Sequence, residues 1–358
     1  MTTPTQLDQA KAEAFAGTLV GHLNGAATIL RTSIGHHLGI FDTMAEMEPA
    51  SSTEIARATG LSERYVREWL NGMVVAGVVE HDAARQTYDL PAEHALSTTR
   101  AAGPGNLASM AQIVTQLAGV EDELMEAFRT GGGVPYSSYP KFTTFMASDS
   151  AQRFELNLLT EQLPLVPGIR EQLETGIDVA DLGCGSGHAI NLMARQWPNS
   201  RFTGYDFSEE AIEAARREAR EWGLSNAHFE AHDASKLPGE AEFDLITTFD
   251  AVHDQADPAR LLSTIARLLR PGGAYLCADI AASTDVAKNL DHPLAPFLYA
   301  VSLFHCMTVS LAQGGEGLGA MWGEEKALEM LHDAGFSNVD VKRVKGDILN
   351  NYYVATKG

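Results

Sequence analysis

Cysteine is scarce in this chain, and its few cysteines lie far apart. The 358 residues include Cys184, Cys277 and Cys306, and no two of them form a C-x-x-C pair. A disulfide framework or a zinc site built on cysteines needs several of them at short spacing. The cysteine content therefore argues against both, no other cluster of metal ligands is evident, and we expect a protein of the reducing cytoplasm.

Basic residues and long apolar runs are also in short supply. There are 26 Lys and Arg against 47 Asp and Glu, a formal net charge of −21. Because phosphate groups are bound by clustered basic side chains, this balance argues against nucleic acid or an anionic membrane as partner. The N-terminal MTTPTQLDQAKAEAF lacks the basic start and apolar core of a signal peptide. No apolar run reaches the roughly 20 residues of a transmembrane helix, so we expect no membrane association.

The length of the chain predicts more than one domain, and residues 1–100 predict a winged helix. Ala27 to Met47 has helical apolar spacing, Ser51 begins a capping box for a short helix, and Leu61-Ser62 begins another. Val78 to Leu90 predicts two strands around a polar turn. Residues 1–100 contain 12 acidic and 7 basic residues, a net charge of −5, without a basic stripe on the second helix. This domain is therefore expected to form a homodimer rather than to bind DNA.

Residues 101–175 predict a helical connector. Three glycines and Pro135 interrupt it at 131–135, and aromatic residues that include Tyr136 and Tyr139 follow. A glycine-proline loop followed by aromatics can cover a pocket as a lid, which makes both tyrosines candidates for substrate contact. Packing of the aromatics at a domain junction is the alternative.

The most informative stretch is IDVADLGCGSGHAINLMARQWPNSRFTGYD, residues 177–206. A buried strand, a glycine turn, an amphipathic helix and a second strand that ends on Asp206 make a βαβ unit. Glycines allow close approach of a ligand to the backbone, and a carboxylate about 20 residues further on can bind a ribose diol. The stretch therefore predicts an adenosine site. The G-x-G-x-x-G spacing of dinucleotide-binding proteins and the lysine of a P-loop are both absent.

From residue 176 onward strands and helices alternate, which predicts a doubly wound α/β sheet. Ligands of such sheets bind beyond the carboxyl ends of the strands. Four predicted strand ends carry carboxylates there: Asp181, Asp206, Asp233 and Asp250.

The D-x-G-x-G-x-G run that begins at Asp181 resembles the first motif of class I S-adenosylmethionine-dependent methyltransferases, which have a Rossmann-like fold. This resemblance implies that Asp206 holds the ribose hydroxyls and that Phe207 lines the adenine. It also implies that Asp233 reaches the adenine amine and that Ala234 contributes its backbone. The other residues that it places around S-adenosylmethionine, or the S-adenosylhomocysteine product, are Asp181, Gly183, Gly185, Gly187, Phe249 and Asp250.

A second resemblance is more specific. The segment FDAVHDQ at 249–255, followed by RLLRPGG, resembles small-molecule O-methyltransferases that carry a winged-helix dimerisation domain. In that family the histidine, here His253, is the general base, and Asp254 is positioned to orient its ring. The chain departs from the family pattern at Gln255 and in its glycine-rich 312–323 loop. The run HCMTVSLAQGGEGLG resembles bacterial methyltransferase-like proteins sometimes labelled transcriptional regulators.

The acceptor of the methyl group is limited by acidity. The pKa of a free histidine, about 6.5, is about 2 units below that of a thiol and about 3.5 units below that of a phenol. Proton transfer to it therefore costs roughly 2.7 kcal/mol from a thiol and roughly 4.8 kcal/mol from a phenol. An unactivated alcohol is far worse, so the expected acceptor is a small molecule with a thiol or a phenol-like hydroxyl. His305 and Trp322 belong to an irregular 281–320 insertion and its exit, and we expect them to cap the acceptor side. Two rivals stay open: a regulator that binds S-adenosylmethionine as an effector, and non-methyl chemistry with the same cofactor.

Overall fold

Helices dominate the N-terminal part of the protein. The computed structural model describes residues 7–358, with only the backbone described at Pro104, Thr143 and Thr144. The chain divides into two compact units between Gln116 and Leu117. The elements up to this boundary are α1 (Gln9–His37), α2 (Ile40–Ala45), α3 (Ser52–Thr59), α4 (Glu63–Val75), β1 (Glu80–Asp82), β2 (Thr87–Asp89), α5 (Ala92–Thr98) and α6 (Leu107–Ala118).

The winged-helix prediction is confirmed by α3, α4 and the hairpin. Ser51 caps α3 and forms the predicted capping box with Glu54. The two strands pair antiparallel, with Glu80 opposite Asp89. The apolar face of α4 is buried because its large residues recur at helical spacing. The buried residues of α4 are Val66, Trp69, Leu70 and Met73.

The first long helix differs from its prediction. We expected one helix from Ala27 to Met47, whereas α1 begins at Gln9 and ends at His37. Gly39 has φ +68°, a left-handed conformation that glycine adopts at little cost and that ends a helix. A separate helix, α2, then starts at Ile40 and buries Phe41.

From Leu117 onward the chain alternates helices and strands. The elements are α7 (Glu121–Thr130), α8 (Phe142–Asn157), α9 (Ile169–Thr175), β3 (Asp178–Leu182), α10 (His188–Gln196), β4 (Arg201–Asp206), α11 (Glu209–Glu221), β5 (Ala227–Ala231), β6 (Phe243–Phe249), α12 (Pro258–Leu268), β7 (Leu269–Ile280), α13 (Ala295–Val301), α14 (Met307–Ala312), α15 (Gly323–Asp333), β8 (Val339–Lys342) and β9 (Asn350–Thr356).

Seven of these strands form one sheet, in the order β5-β4-β3-β6-β7-β9-β8. The first five strands of that order pair in parallel, and β9 pairs antiparallel with both β7 and β8. The predicted doubly wound, Rossmann-like fold is confirmed. Strand order reverses at β3 and β6, so their carboxyl ends and that of β4 border one crevice.

Both faces of this sheet are covered. Successive strand residues point to opposite faces, so Val179 and Leu245 join one apolar cluster whereas Ala180 and Ile246 join the other. Helices α10 and α11 contribute to the first cluster, and α12 and α15 contribute to the second. Each fully buried Leu or Ile stabilises such a core by about 1.5–3 kcal/mol. The sheet is thereby a rigid support for residues at its carboxyl edge.

The 281–320 insertion, which we expected to be irregular, is helical in part. Residues Ala295–Ala312 are continuously helical, because a π-helical turn at Ser302–Cys306 joins α13 to α14. This 18-residue stretch has a mean hydropathy of 1.5 and is long and apolar enough to cross a membrane by length and composition. The expectation that no apolar run reaches that length was therefore wrong. Within the protein, 44% of the stretch is buried, and a helix packed in a protein core passes the same test.

Candidate active site

A cavity of about 530 Å³ opens at the carboxyl edge of the sheet, beside the ends of β3, β4 and β6. Its size is within the range of small-molecule sites. Of the ten predicted cofactor residues, nine line it. They are Asp181, Gly183, Gly185, Asp206, Phe207, Asp233, Ala234, Phe249 and Asp250.

The glycine turn after β3 is bonded to the end of β4. The backbone N–H groups of Gly183 and Cys184 donate to the Tyr205 carbonyl at 2.8 and 3.0 Å. Gly183 has φ +78°, and a Cβ there would lie 2.7 Å from the Cβ of Ala251. A side chain at this position is therefore excluded by both conformation and space.

Gly187 is the one predicted cofactor residue that does not line the cavity. It precedes α10 with φ +71°, and an added Cβ would collide with the Phe229 ring and the Ala215 side chain. Its position shows that glycine is needed here for close packing of α10 on the sheet.

Asp206 ends β4 and holds the glycine turn in place. Its Oδ2 accepts from the Gly185 N–H and its Oδ1 from the Ser208 N–H, both at 2.9 Å. Burial raises the pKa of Asp206, and these two backbone N–H groups partly offset that rise. Each carboxylate oxygen retains capacity to accept another hydrogen bond, as a ribose diol requires.

The cavity is strongly acidic. Burial raises the pKa of Asp181 to about 7, although the Thr247 hydroxyl donates to its Oδ1 at 2.8 Å, and repulsion from Asp206 adds to the rise. Such a site stabilises a bound cation and repels a pyrophosphate. The acidic residues on the wall are Asp181, Asp206, Asp233, Asp250, Asp254 and Asp257, against Lys236 and Arg260 as the bases.

The adenine-side residues also lie on the wall. Asp233 caps a short turn by accepting from the Ser235 N–H at 3.0 Å, and it pairs with Lys236 at 2.7 Å. Phe207 is more than half exposed and makes an edge contact with Tyr136, with 6.0 Å between the ring centroids. An adenine ring would find an aromatic face and a carboxylate here.

His253 lies directly behind the cavity wall, since Ala251, two residues before it, and Asp254, the next residue, are both on that wall. Its Nδ1 is 2.7 Å from Oδ1 of Asp279, an oxygen that also accepts from the Trp322 indole N–H at 3.0 Å. The carboxylate that orients the ring is therefore Asp279, and the expectation that Asp254 does so was wrong. The reason is tertiary: β6 pairs in parallel with β7, so the segments at their carboxyl ends meet.

The surroundings of His253 make it a stronger base than a free imidazole. Burial alone would lower its pKa, but the negative charge of Asp279 and hydrogen bonds to Asp279 and Cys306 raise the pKa well above 6.5. Asp254, in contrast, is a cavity carboxylate whose pKa burial raises to about 6, partly offset by the charge of His253.

The four predicted substrate residues divide into two pairs. Tyr136 and His305 line the cavity. Tyr139 does not, because it is buried and its hydroxyl donates to the Phe304 carbonyl. Trp322 is likewise buried and absent from the wall, and it donates its indole N–H to Asp279, so the structure does not bring either residue to the cavity and their contact with substrate stays a prediction.

Sequence reasoning missed Asp279 and most of the apolar wall. Asp279 is the penultimate residue of the buried strand β7, at the sheet edge where the other four carboxylates lie, and this same signal identifies it. Phe142, Met146 and Phe154 line the cavity from α8, at a spacing typical of one helix face. They show no chemical signature in the sequence.

Comparison with known proteins agrees with this geometry. Residues 26–100 match the family of the Rv2258c-like winged HTH domain, and residues 173–341 match a methyltransferase domain. The ubiquinone/menaquinone biosynthesis C-methyltransferase UbiE of Desulfotalea psychrophila is 30% identical over 172 residues, 46% of this chain and 68% of that protein. The chain belongs to the S-adenosylmethionine-dependent methyltransferases.

Two further proteins are similar to this methyltransferase. The O-methyltransferase cnsE of Penicillium expansum is 27% identical over 56% of the chain and 66% of its own length. Human N-acetylserotonin methyltransferase, solved with S-adenosylmethionine, is similar over 99% of this chain and 100% of that one, with a TM-score of 0.69 and 20% identity. At that identity the likeness shows the fold. The cofactor of this methyltransferase is S-adenosylmethionine, and the acidic, glycine-walled cavity fits its positive charge.

Proposed function

We propose that this methyltransferase transfers a methyl group to a small acidic nucleophile, a phenol-like hydroxyl or a thiol, with His253 as general base. The observation that carries the proposal is the His253–Asp279 pair directly behind the wall of the cofactor cavity. The likeness to an O-methyltransferase of Penicillium expansum supports the hydroxyl over the thiol.

The cavity residues are proposed to bind the cofactor. Asp206 would accept from the ribose hydroxyls, Phe207 would pack on the adenine, and Asp233 would accept from the adenine amine. Bound S-adenosylmethionine supplies a methyl group on a positively charged sulfur. The other residues proposed to hold it are Asp181, Gly183, Gly185, Ala234, Phe249 and Asp250, with Gly187 shaping the turn.

In this proposal the neutral imidazole of His253 donates its Nδ1–H to Asp279 and accepts the acceptor's proton at Nε2. Asp279 stabilises the imidazolium that forms. Each unit by which the pKa of His253 exceeds 6.5 lowers the cost of that proton transfer by about 1.4 kcal/mol. The His253–Asp279 pair thereby lowers the free-energy cost of moving a proton from a phenol to the imidazole, which for a free imidazole is roughly 4.8 kcal/mol.

Product formation tests this function. Purified protein with S-adenosylmethionine and a panel of phenols and thiols should release S-adenosylhomocysteine with at least one acceptor. Calorimetry should detect binding of S-adenosylmethionine without any acceptor. Cofactor binding with no product across the panel would refute the acceptor class, and would favour the rival in which the cofactor serves other chemistry.

The pH dependence of turnover should follow His253. A general base acts only when neutral, so kcat/KM should rise with pH through the raised pKa of His253 and then level off. Asp279→Asn removes the charge that raises this pKa. We expect the rising limb of the pH–rate profile to shift to lower pH by about 1 unit or more, and the plateau to fall.

Asp254→Asn is the matched control for that shift. This carboxylate is also close to His253, but its oxygens are not bonded to the ring in the structure. The Asp254→Asn variant should shift the rising limb of the pH–rate profile less than Asp279→Asn does. A limb that stays in place in both variants would mean that another group titrates.

We also propose that the protein is a cytoplasmic homodimer formed through residues 1–100. Helix α1 has a stripe of exposed apolar residues, and an apolar groove of about 760 Å³ lies nearby in the same unit, with Trp69 and Leu61 on its wall. Monomeric proteins rarely expose such a stripe, so we expect a second copy of the chain to pack against it. The exposed stripe comprises Phe15, Leu19, Leu23, Leu30 and Ile34.

Charge on that stripe should break the dimer. Leu19→Asp combined with Leu23→Asp should convert the protein to monomer in light scattering after size exclusion. Ala10→Asp with Asn24→Asp adds the same charge on the opposite face of α1 and should leave the dimer intact. A wild-type protein that is already monomeric at micromolar concentration would exclude the proposal.

The winged helix is less suited to DNA. On α4, Arg64 pairs with Glu68 at 2.7 Å and Arg67 with Glu63 at 3.3 Å, so its arginines already have carboxylate partners. A gel-shift assay at low salt should therefore show no binding to duplex DNA. Salt-dependent binding would instead support the regulator.

A further inference from the structure

We infer that His305 is a positioning residue for the acceptor, and that it hydrogen-bonds an acceptor oxygen other than the one that is methylated. This inference rests on the proposed function and adds a requirement to it. The acceptor would be a neutral aromatic molecule with two neighbouring oxygens.

The first observation is a buried imidazole without partners. His305 is 1% exposed, and neither Nδ1 nor Nε2 has a hydrogen-bond partner among the described residues. It nevertheless lines the cavity. Buried polar groups in folded proteins are usually hydrogen-bonded, because an unpaired one destabilises the fold. A ligand that enters the cavity can supply that partner.

The second observation is that aromatic rings hold His305 in place. It stacks on Phe142 with 3.7 Å between centroids and 20° between planes. The edges of Tyr136 and Tyr139 contact it, with centroids 5.7 and 4.8 Å away. The ring is therefore pre-oriented, which lowers the entropy cost of binding an acceptor.

The third observation is the local backbone. His305 lies in the π-helical turn Ser302–Cys306, between α13 and α14. Single π turns within helices are rare and frequently mark functional sites. The glycine-proline loop is fastened to this helix, since the Val134 N–H donates to the Thr308 Oγ1 at 2.9 Å. His305 of this turn and Tyr136, which directly follows the loop, both line the cavity.

His305 is suited to binding and not to proton removal. Burial, together with the charge of His253, lowers its pKa to about 3, so the imidazole is neutral at any working pH. A neutral imidazole offers one N–H donor and one acceptor nitrogen. It is too weak a base for a phenol, which leaves that task to His253. Its N–H suits a carbonyl or hydroxyl oxygen of the acceptor.

The charge of the cavity restricts the acceptor further. Six Asp side chains line the cavity against Lys236 and Arg260, and those that are ionised repel an acceptor that carries a carboxylate or phosphate. The apolar wall from α8 suits a planar ring. A neutral aromatic molecule with two neighbouring hydroxyls, or with a hydroxyl beside a carbonyl, fits the His305 N–H, the acidic residues and the apolar wall together.

A matched pair of acceptors tests the inference. Wild-type protein should use 2,3-dihydroxynaphthalene with kcat/KM about 10- to 100-fold higher than 2-naphthol, which lacks the second hydroxyl. His305→Phe keeps the stacking and removes both nitrogens. In this variant the ratio should fall to about one through a higher KM for the diol, and the affinity for S-adenosylmethionine should stay within about twofold.

His305→Gln, which keeps a donor and an acceptor, should restore part of the preference. His332→Phe, at an exposed position on α15, is the control and should leave the ratio unchanged. An equal loss with both naphthols in His305→Phe would overturn the inference, since His305 would then act on the methylated oxygen or on the fold. No wild-type preference for the diol would overturn it as well.

A stability measurement decides the point even without turnover. Because His305→Phe removes two unpaired buried nitrogens, its Tm in the absence of ligand should rise by roughly 2–4 °C. His305→Gln should not rise as far. A lower Tm for His305→Phe would show that the nitrogens stabilise the fold, against the inference. If neither naphthol yields S-adenosylhomocysteine with wild type, the proposed acceptor class fails, while the Tm result still judges His305.

Discussion

Replacing His253 with alanine should lower kcat by about 10²–10⁴-fold and leave the affinity for S-adenosylmethionine nearly unchanged. The loss is expected because the imidazole, held by Asp279 at 2.7 Å, is proposed to accept the proton of the nucleophile. Cofactor affinity should persist because His253 lies behind the cavity wall and not on it. Single-turnover rates and calorimetry separate the two effects.

The acidity of the acceptor sharpens this test. A more acidic phenol is already ionised at neutral pH and needs no base, so His253→Ala should lose less activity with 4-nitrophenol than with phenol. His332→Ala, on the surface of α15, controls for the removal of a histidine. Full activity of His253→Ala with phenol would remove this residue from the mechanism, and catalysis would then depend on positioning alone.

The second large effect is expected at the cofactor. Asp206→Ala should raise the Kd for S-adenosylmethionine by about 100- to 1000-fold. A hydrogen bond to a charged group contributes about 1.5–3 kcal/mol, and two ribose hydroxyls would lose their acceptor. The variant also leaves the Gly185 N–H without its partner at 2.9 Å, so the glycine turn loses its support. Calorimetric titration with S-adenosylmethionine measures the change.

Asp285→Ala is the matched control for this variant. Asp285, like Asp206, accepts a hydrogen bond from a backbone N–H two residues further on, here that of Ala287 at 2.9 Å, but it does not line the cavity. Its Kd should equal that of wild type. An unchanged Kd in a folded Asp206→Ala protein, with native circular dichroism, would place the ribose elsewhere and contradict the proposed orientation of the cofactor.

The contact between His253 and Asp279 shows why sequence neighbours alone do not identify the carboxylate beside the ring. Asp254 follows His253 in the chain, yet its side chain faces the cavity. Asp279 is 26 residues away and reaches Nδ1 because β6 and β7 are adjacent parallel strands. Which carboxylate lies beside the histidine depends on which strands are adjacent in the sheet, and the spacing of residues in the sequence does not give that order.

The sequence by itself determined the parts of this protein that local rules control. The glycine turn before α10, the carboxylate at the end of β4 and the capping box at Ser51 follow from backbone conformation and spacing within about 30 residues. Those rules are sufficient for the fold class, and the resemblance to S-adenosylmethionine-dependent methyltransferases follows from the same residues.

Only the tertiary structure decided which distant side chains meet. It paired His253 with Asp279, placed Trp322 behind them, and left both nitrogens of His305 unpartnered beside the cavity. It also made residues 295–312 of the insertion continuously helical. The physical reason is that hydrogen-bond satisfaction and burial depend on the packing of segments that are far apart in the chain, and one sequence shows their spacing but not their contacts.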